Sequence, residues 1–455
     1  TGLPVTTTQD TIFQLLAGND INNIGSQIQA NTNGTAIVYA ENNINNETTK
    51  VRINQAGGYK DIVRDTASIT NIGGTGTANT GNLLIQANSG NITNTGANIS
   101  ANGTAQLSAG NNIIFNTLEL ESYSKLGGKK ASTEIETLTN IGSDITSNNG
   151  SVVLLANNNI ALTSTNINAQ NDINLESANG NILISSAMDT YSRTDKTKKK
   201  SAFSSKETID IKQTRTNQVN QLSSKIKNVN IKSENDILSI GTKFNANNGD
   251  INLTAENNTY LANAMDYDYE YHYKKVEKFD VASAVANIAT AIAIGAIAGP
   301  GAAIAAGISS ASGAANMKKG SVDTKMTYDE TTVGNNLTAN NINIKTGNDF
   351  NSVSTVINST PINYQEAFNS LTNVNLDIGG STSISQAQEK HEHEETHEEW
   401  GGDIGKAALG GAITGLTSAI GVGFGKVAGK FAGAAVTSAI SGSVGATTSA
   451  TLATA

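Results

Sequence analysis

Apolar and polar residues alternate along this chain in short bursts, and the bursts recur. In "NNGDINLTAENN" (247–258), Ile251, Leu253 and Ala255 alternate with polar residues, as in a strand buried on one face. Three alternating small or apolar residues, then an apolar residue four or five positions later, make a template. It fits Ala36, Val38, Ala40 with Ile44, and Leu83, Ile85, Ala87 with Ile92. Ala105, Leu107, Ala109 with Ile113 and Val152, Leu154, Ala156 with Ile160 follow. So do Ile173, Leu175, Ser177 with Ile182 and Val229, Ile231, Ser233 with Ile237. Ile251, Leu253, Ala255 with Tyr260 and Ile342, Ile344, Thr346 with Phe350 complete the set. The copies start at 36, 83, 105, 152, 173, 229, 251 and 342, so uninterrupted neighbours lie 22, 21 and 22 residues apart.

A constant period of this length predicts a solenoid, because no single unit can bury its apolar face but stacked units share a core. Many copies are preceded by a second short strand, as in "NIGSQIQANTNG" (23–34), "NIGSDITSNNG" (140–150) and "SIGTKFNANNG" (239–249). The expected fold is all-β: a parallel β-helix with coils of roughly 20–22 residues, projecting hairpin insertions and Ala/Gly-rich helical segments. Ordinary hairpins or a sandwich are the competing reading, but their turns do not repeat at a constant spacing.

Gaps of 47, 56 and 91 residues hold insertions of different composition. The organisation expected is coils over 1–264, with hairpins at about 45–68, 116–138 and 188–226. An insertion over 265–333 follows, its β arms enclosing the apolar segment 281–317. Further coils span 334–385, and 386–455 is a charged arm with a second Ala/Gly-rich apolar segment. "DYDYEYHYKK" places Tyr267, Tyr269, Tyr271 and Tyr273 on one strand face, and "SVDTKMTYDETT" (321–332) is its returning arm. The arm "SISQAQEKHEHEETHEEW" has no returning partner, as expected of an internal fragment.

Composition narrows the function classes. Only 15% of 455 residues are charged, and none from Thr66 to Leu118, which favours stacked strands with Asn-rich turns over disorder. A net charge of −9 argues against a general nucleic-acid binder, so no nucleic-acid partner is expected. The absence of cysteine excludes disulfides and thiol chemistry and suits an exported protein. The opening "TGLPVTTTQD" lacks the basic start and apolar run of a signal peptide.

The "NIGSxIxAxxG" turn, the "GDINLTAENN" rung and inserts such as "TDKTKKKSAFSSKET" resemble the haemagglutinin-repeat region of filamentous haemagglutinin-like exoproteins, over roughly residues 17–385. That family includes the contact-dependent growth-inhibition effectors. The resemblance implies a secreted, cell-surface β-helical filament exported through an outer-membrane two-partner-secretion transporter. It implies a target-cell surface or outer membrane as the other partner, met in adhesion or toxin delivery. Neither an amino-terminal secretion domain nor a carboxy-terminal toxin is recognisable in this sequence.

Candidate sites are few. His391, His393 and His397 share one strand face, so a Zn or Ni site there competes with a solvated acidic arm. Asp172 and Asp250 occupy equivalent slots in distant coils and read as turn residues, not as a glycosidase pair. "GFGKVAGK" is no phosphate loop: Ile420 stands where Gly is needed and Val427 where Ser or Thr is needed. No cofactor and no enzymatic activity are expected, and a carbohydrate-active β-helix is the remaining enzyme alternative. "TDKTKKK" (194–200) reads as a solvated hairpin tip or a contact to anionic lipid or lipopolysaccharide.

The uncharged inserts carry the membrane- or partner-contact candidates. Pro300–Gly301 splits the first into halves near 281–299 and 302–317, with Ile292, Ile294 and Ile297 in the first half. Neither half reaches the ~20 residues of a spanning helix. Gly421, Gly425, Gly429 and Gly433 form a small-residue stripe at helical spacing, beside Lys426 and Lys430. These segments either enter a target bilayer, as a translocation module, or pack on the protein itself.

Overall fold

The computed structural model describes residues 12–74, 80–201, 204–278, 319–358 and 373–400. The segment 281–317 and the residues beyond 400 lie outside them, and with them Ile292, Ile294, Ile297, Gly421, Gly425, Gly429 and Gly433. The expected helical segments therefore fall outside the described residues, which form strands and turns only.

Each recurrent burst becomes one rung of a three-walled parallel β-helix. The first wall stacks ten strands from Gln14–Ala17 to Asn373–Ile378, and the second ten from Ile21–Ile24 to Thr382–Ser385. The third stacks nine, from Gln27–Ala30 to Val356–Asn358. Register is kept from coil to coil: Val229, Ile251 and Ile342 stand in one column, and Ile231, Leu253 and Ile344 in the next. Alternation turns every second side chain inward, so Leu107, Leu154, Leu253 and Ile113 are fully buried in one continuous apolar core.

Asparagine supplies the polar half of the stacking. At the turn into the second wall, a side-chain oxygen in one coil accepts the backbone N–H of the equivalent residue in the next. The ladder runs Asp20, Asn43, Asn91, Asn112, Asn159, Asn181, Asp236, Asn258, Asp349, Ser381, at 2.9–3.1 Å. A second ladder precedes the first wall and includes Asp172 and Asp250, whose Oδ1 atoms accept from Asn228 and Asn341 at 3.1 Å. Both aspartates thus serve coil stacking.

Among the described residues, the lateral arms all leave at the corner between the second and third walls. Uninterrupted coils turn that corner through one residue of positive φ: Gly25, Gly96, Ser164, Gly241 and Ser354, at 47–60°. At Gly96 a Cβ would come within 2.8 Å of Leu118 Cβ, so a side chain there meets the neighbouring insertion's root. Insertions replace this turn after Ile44–Glu47, Ile113–Asn116, Ile182–Ser185, Thr259–Ala262 and Thr382–Ser385, which is every second coil. A coil rises about 4.8 Å and a hairpin is two strands wide, so one hairpin for every two coils keeps both stacks in step.

The outcome is a fourth, nine-stranded antiparallel sheet beside the solenoid. Its arms, in chain order, are arm 1 Thr49–Gln55, arm 2 Gly58–Asp65, arm 3 Leu118–Gly127, arm 4 Ala131–Ile141 and arm 5 Ala187–Lys200. Arm 6 Ser204–Gln218, arm 7 Ala264–Lys278, arm 8 Lys319–Val333 and arm 9 His391–Trp400 complete it. Each arm pairs with the next in sequence, across hairpins as well as within them. The hairpins project sideways as expected, and matched spacing pairs their inner edges into one sheet. The third insertion also ends earlier than expected from 188–226: Gln221–Ser224 is already a third-wall rung, its Leu222 buried.

Candidate functional site

The lateral sheet gathers most of the chain's charged residues and tyrosines, and its assembly follows from short polar clamps at the roots. Asn140, ending arm 4, donates its backbone N–H to Asp189 Oδ1 on arm 5 at 2.7 Å, and its amide to Met188 O at 3.0 Å. Asn217 repeats this on arm 7, with Asp266 Oδ1 at 2.6 Å and Met265 O at 2.8 Å. "AMD" at 187–189 and 264–266 is the sequence signature of the clamp. Between arms 8 and 9, Thr332 N–H donates to Glu389 Oε1 at 2.6 Å. Between the first two hairpins, Arg52 bridges Asp61 at 2.7 Å and Glu121 at 2.8 Å. The guanidinium holds the Asp61 carboxyl well below the usual carboxylate range.

One face of the sheet is aromatic. Tyr269, Tyr273, Met326, Ile209 and Ile211 are buried in a cluster separate from the solenoid core, with Tyr267, Tyr271 and Tyr328 packed against it. The four tyrosines of arm 7 share this face, as the alternation predicted. Burial raises their phenol pKa values, Tyr271 to about 12, so they stay neutral.

The opposite face is a field of cross-strand ion pairs. Lys212 meets Glu270 at 2.7 Å, Lys274 meets Asp323 at 2.6 Å and Lys325 meets Glu395 at 2.8 Å. A hollow of about 250 Å³ opens here, among Arg193, Asp195, Asp210, Lys212, Glu270 and His272. Its cations and carboxylates already neutralise one another, as in a structural network.

All four histidines of the chain lie on this face. His272 contacts Asp210, His391 contacts Asp329 at 2.9 Å, His397 contacts Asp323, and His393 lies 3.3 Å from Glu395. His391, His393 and His397 thus share a face but do not converge. Among the described residues no group of three or more His, Asp or Glu is placed to hold a metal ion.

The histidines carry a pH prediction. The hydrogen bond that His391 donates to Asp329, with Glu389 and Glu330 near, raises the His391 pKa; Asp323 and then Glu399 raise that of His397. Lys274 also contacts Asp323. Raised folded-state values mean that this contribution to arm 9 docking is complete below the ordinary histidine pKa. It is lost as pH rises through the raised values. Proton NMR titration should give midpoints above about 6.5 for His391 and His397. Asp329→Asn and Asp323→Asn should each lower one of them toward that value. Unchanged midpoints would show that the pairs do not form.

Residues 123–214 match the hemagglutinin repeat family. The match runs from arm 3 to arm 6, two successive hairpins with the intervening coils. No curated protein and no solved structure matches the chain. Among the described residues no helix is long and apolar enough to cross a membrane. Over residues 123–214 this match supports the likeness to the haemagglutinin-repeat region of filamentous haemagglutinin-like exoproteins that was read from the rungs and Lys-rich inserts.

Proposed function

We propose that this chain is a rod-like segment of a secreted, cell-surface exoprotein that acts in contact with another cell, by adhesion or by delivery of a toxin. The hemagglutinin repeat over 123–214, in a stiff solenoid bearing a broad lateral sheet, carries this reading. Hemagglutinin repeats are typical of adhesin-like surface exoproteins and not of enzymes. The partners proposed are an outer-membrane two-partner-secretion transporter on the producing side and the surface or outer membrane of a target cell. The paired charges of the lateral sheet favour a scaffold and contact role over catalysis. Binding of fluorescent protein to intact target bacteria tests this: saturable attachment is expected, and cleavage of surface polysaccharide without attachment would replace it with an enzymatic reading.

A membrane-active translocation module is the second reading. Arms 7 and 8 hold the ends of the uncharged segment 281–317 side by side, with Lys278 opposite Lys319. Replacing 281–317 by a short Gly-Ser turn should leave strand content by circular dichroism unchanged, because the segment lies outside every rung. If the segment engages lipid, liposome association should disappear with it. Lost folding with unaltered lipid binding would eliminate the translocation reading.

A further inference from the structure

The sheet register brings lysines from three sequence segments to one rim, the edge farthest from the solenoid. Arm 5 extends beyond the tip of the arm 3–arm 4 hairpin, and Lys198 N–H donates to Lys130 O at 2.7 Å. Lys129 and Lys130 therefore sit beside Lys198, Lys199 and Lys200. On arm 6, Lys206 stands directly opposite Lys199. On arm 7, Lys278 pairs in register with Lys319 on arm 8. Across these strands, at about 4.8 Å each, the row is roughly 20 Å long.

Two features mark this rim as a contact surface. Lys129, Lys130, Lys199 and Lys206 are exposed and have no carboxylate partner among the described residues. The Lys199–Lys206 pair places like charges opposite each other, which disfavours strand pairing until an anion lies between them. The protein as a whole carries −9, so this is local segregation of charge.

We propose that the lysine rim docks on the phosphate groups of an anionic lipid surface. The rim has no arginine, so it offers mobile point charges and not the planar forks that read nucleic acid. The net charge of −9 argues against a nucleic acid as the source of those phosphates. This names the partner chemistry for the proposed surface role and so rests on that reading.

Co-sedimentation of the intact chain tests the proposal, with vesicles of phosphatidylcholine alone or with phosphatidylglycerol at roughly one lipid in three. Binding is expected only to the mixed vesicles, and it should fall steeply with added salt. K129Q/K130Q/K199Q/K206Q should lower partitioning by roughly several hundredfold, since each lysine near such a surface contributes roughly fivefold. K225Q/K243Q/K345Q, on the solenoid, should bind as the parent does, and circular dichroism should be the same for all three proteins. Equal binding of the rim variant, equal binding to phosphatidylcholine alone, or preferential capture on a sulfated polysaccharide would each overturn the lipid assignment. Lipid binding that is lost in the rim variant, in a protein that attaches to no cell, would uphold the rim and refute the surface role.

Discussion

Leu253→Asp should unfold the middle of the solenoid. Leu253 is fully buried, between Ile231 in the coil before and Ile344 in the coil after. Truncation to alanine removes buried methyl groups and leaves a cavity, at a cost of about 2–5 kcal/mol. Aspartate adds a charge with no partner in a dry core and should cost at least as much again, roughly 5 kcal/mol or more in total. Because coils stack through nearest neighbours, the damage should spread through adjacent rungs and spare the distant ones. Urea denaturation followed by circular dichroism should show an early transition of part of the strand signal for Leu253→Asp and a smaller shift for Leu253→Ala. Parent-like stability of the aspartate variant would remove Leu253 from the core.

Asn335→Ala should be the most damaging polar substitution. Asn335 is fully buried at the root of arm 8, where the chain re-enters the third wall. Its Oδ1 accepts from Ser239 Oγ at 2.7 Å and from Thr242 N–H at 3.0 Å, while its amide donates to Ala262 O at 2.7 Å and Ser239 O at 3.2 Å. Alanine takes the acceptor from the Thr242 N–H and the Ser239 hydroxyl out of reach of solvent, at about 1–3 kcal/mol for each group stranded. A total loss of roughly 3 kcal/mol or more is expected from chemical denaturation. Amide exchange at Thr242 should accelerate with it. Asn336→Ala, at the neighbouring part-exposed position, should change stability by less than about 0.5 kcal/mol.

The rungs were legible because one face of each strand must be apolar and the period is constant; Ile251, Leu253 and Ala255 sit inside as their alternation required. Arms 7 and 8 were legible for the same reason, through four tyrosines at alternate positions. The zipping of the hairpins was not read, although its signal stands in the spacing. Long and short gaps alternate strictly from 36 to 342, which is what one two-stranded insertion for every two coils demands. The clamps escaped because a single Asn and a single Asp, 49 residues apart in both Asn140–Asp189 and Asn217–Asp266, carry no local pattern. The lysine rim was visible only as one run, 194–200; its other members come from segments that only the sheet register joins. The face shared by the histidines was legible, but the carboxylate partners of His391 and His397 lie on arm 8, out of reach of local reading.

The union of hairpins from alternate coils into one sheet is the claim on which the lateral face, its histidine pairs and its lysine rim all depend. Disulfide trapping tests it directly, because the chain has no cysteine of its own. Thr137 faces Tyr191, and Glu136 faces Ser192, across arms 4 and 5 of different hairpins. Directly opposed residues of antiparallel strands have Cα atoms about 4.5 or 5.5 Å apart, within the span of a disulfide. Under mild oxidation, T137C/Y191C or E136C/S192C should close an intramolecular bond, whereas T137C/S192C, with its thiols on opposite faces, should not. Free thiols in all three variants, or equal trapping in the mismatched one, would contradict a single zipped sheet.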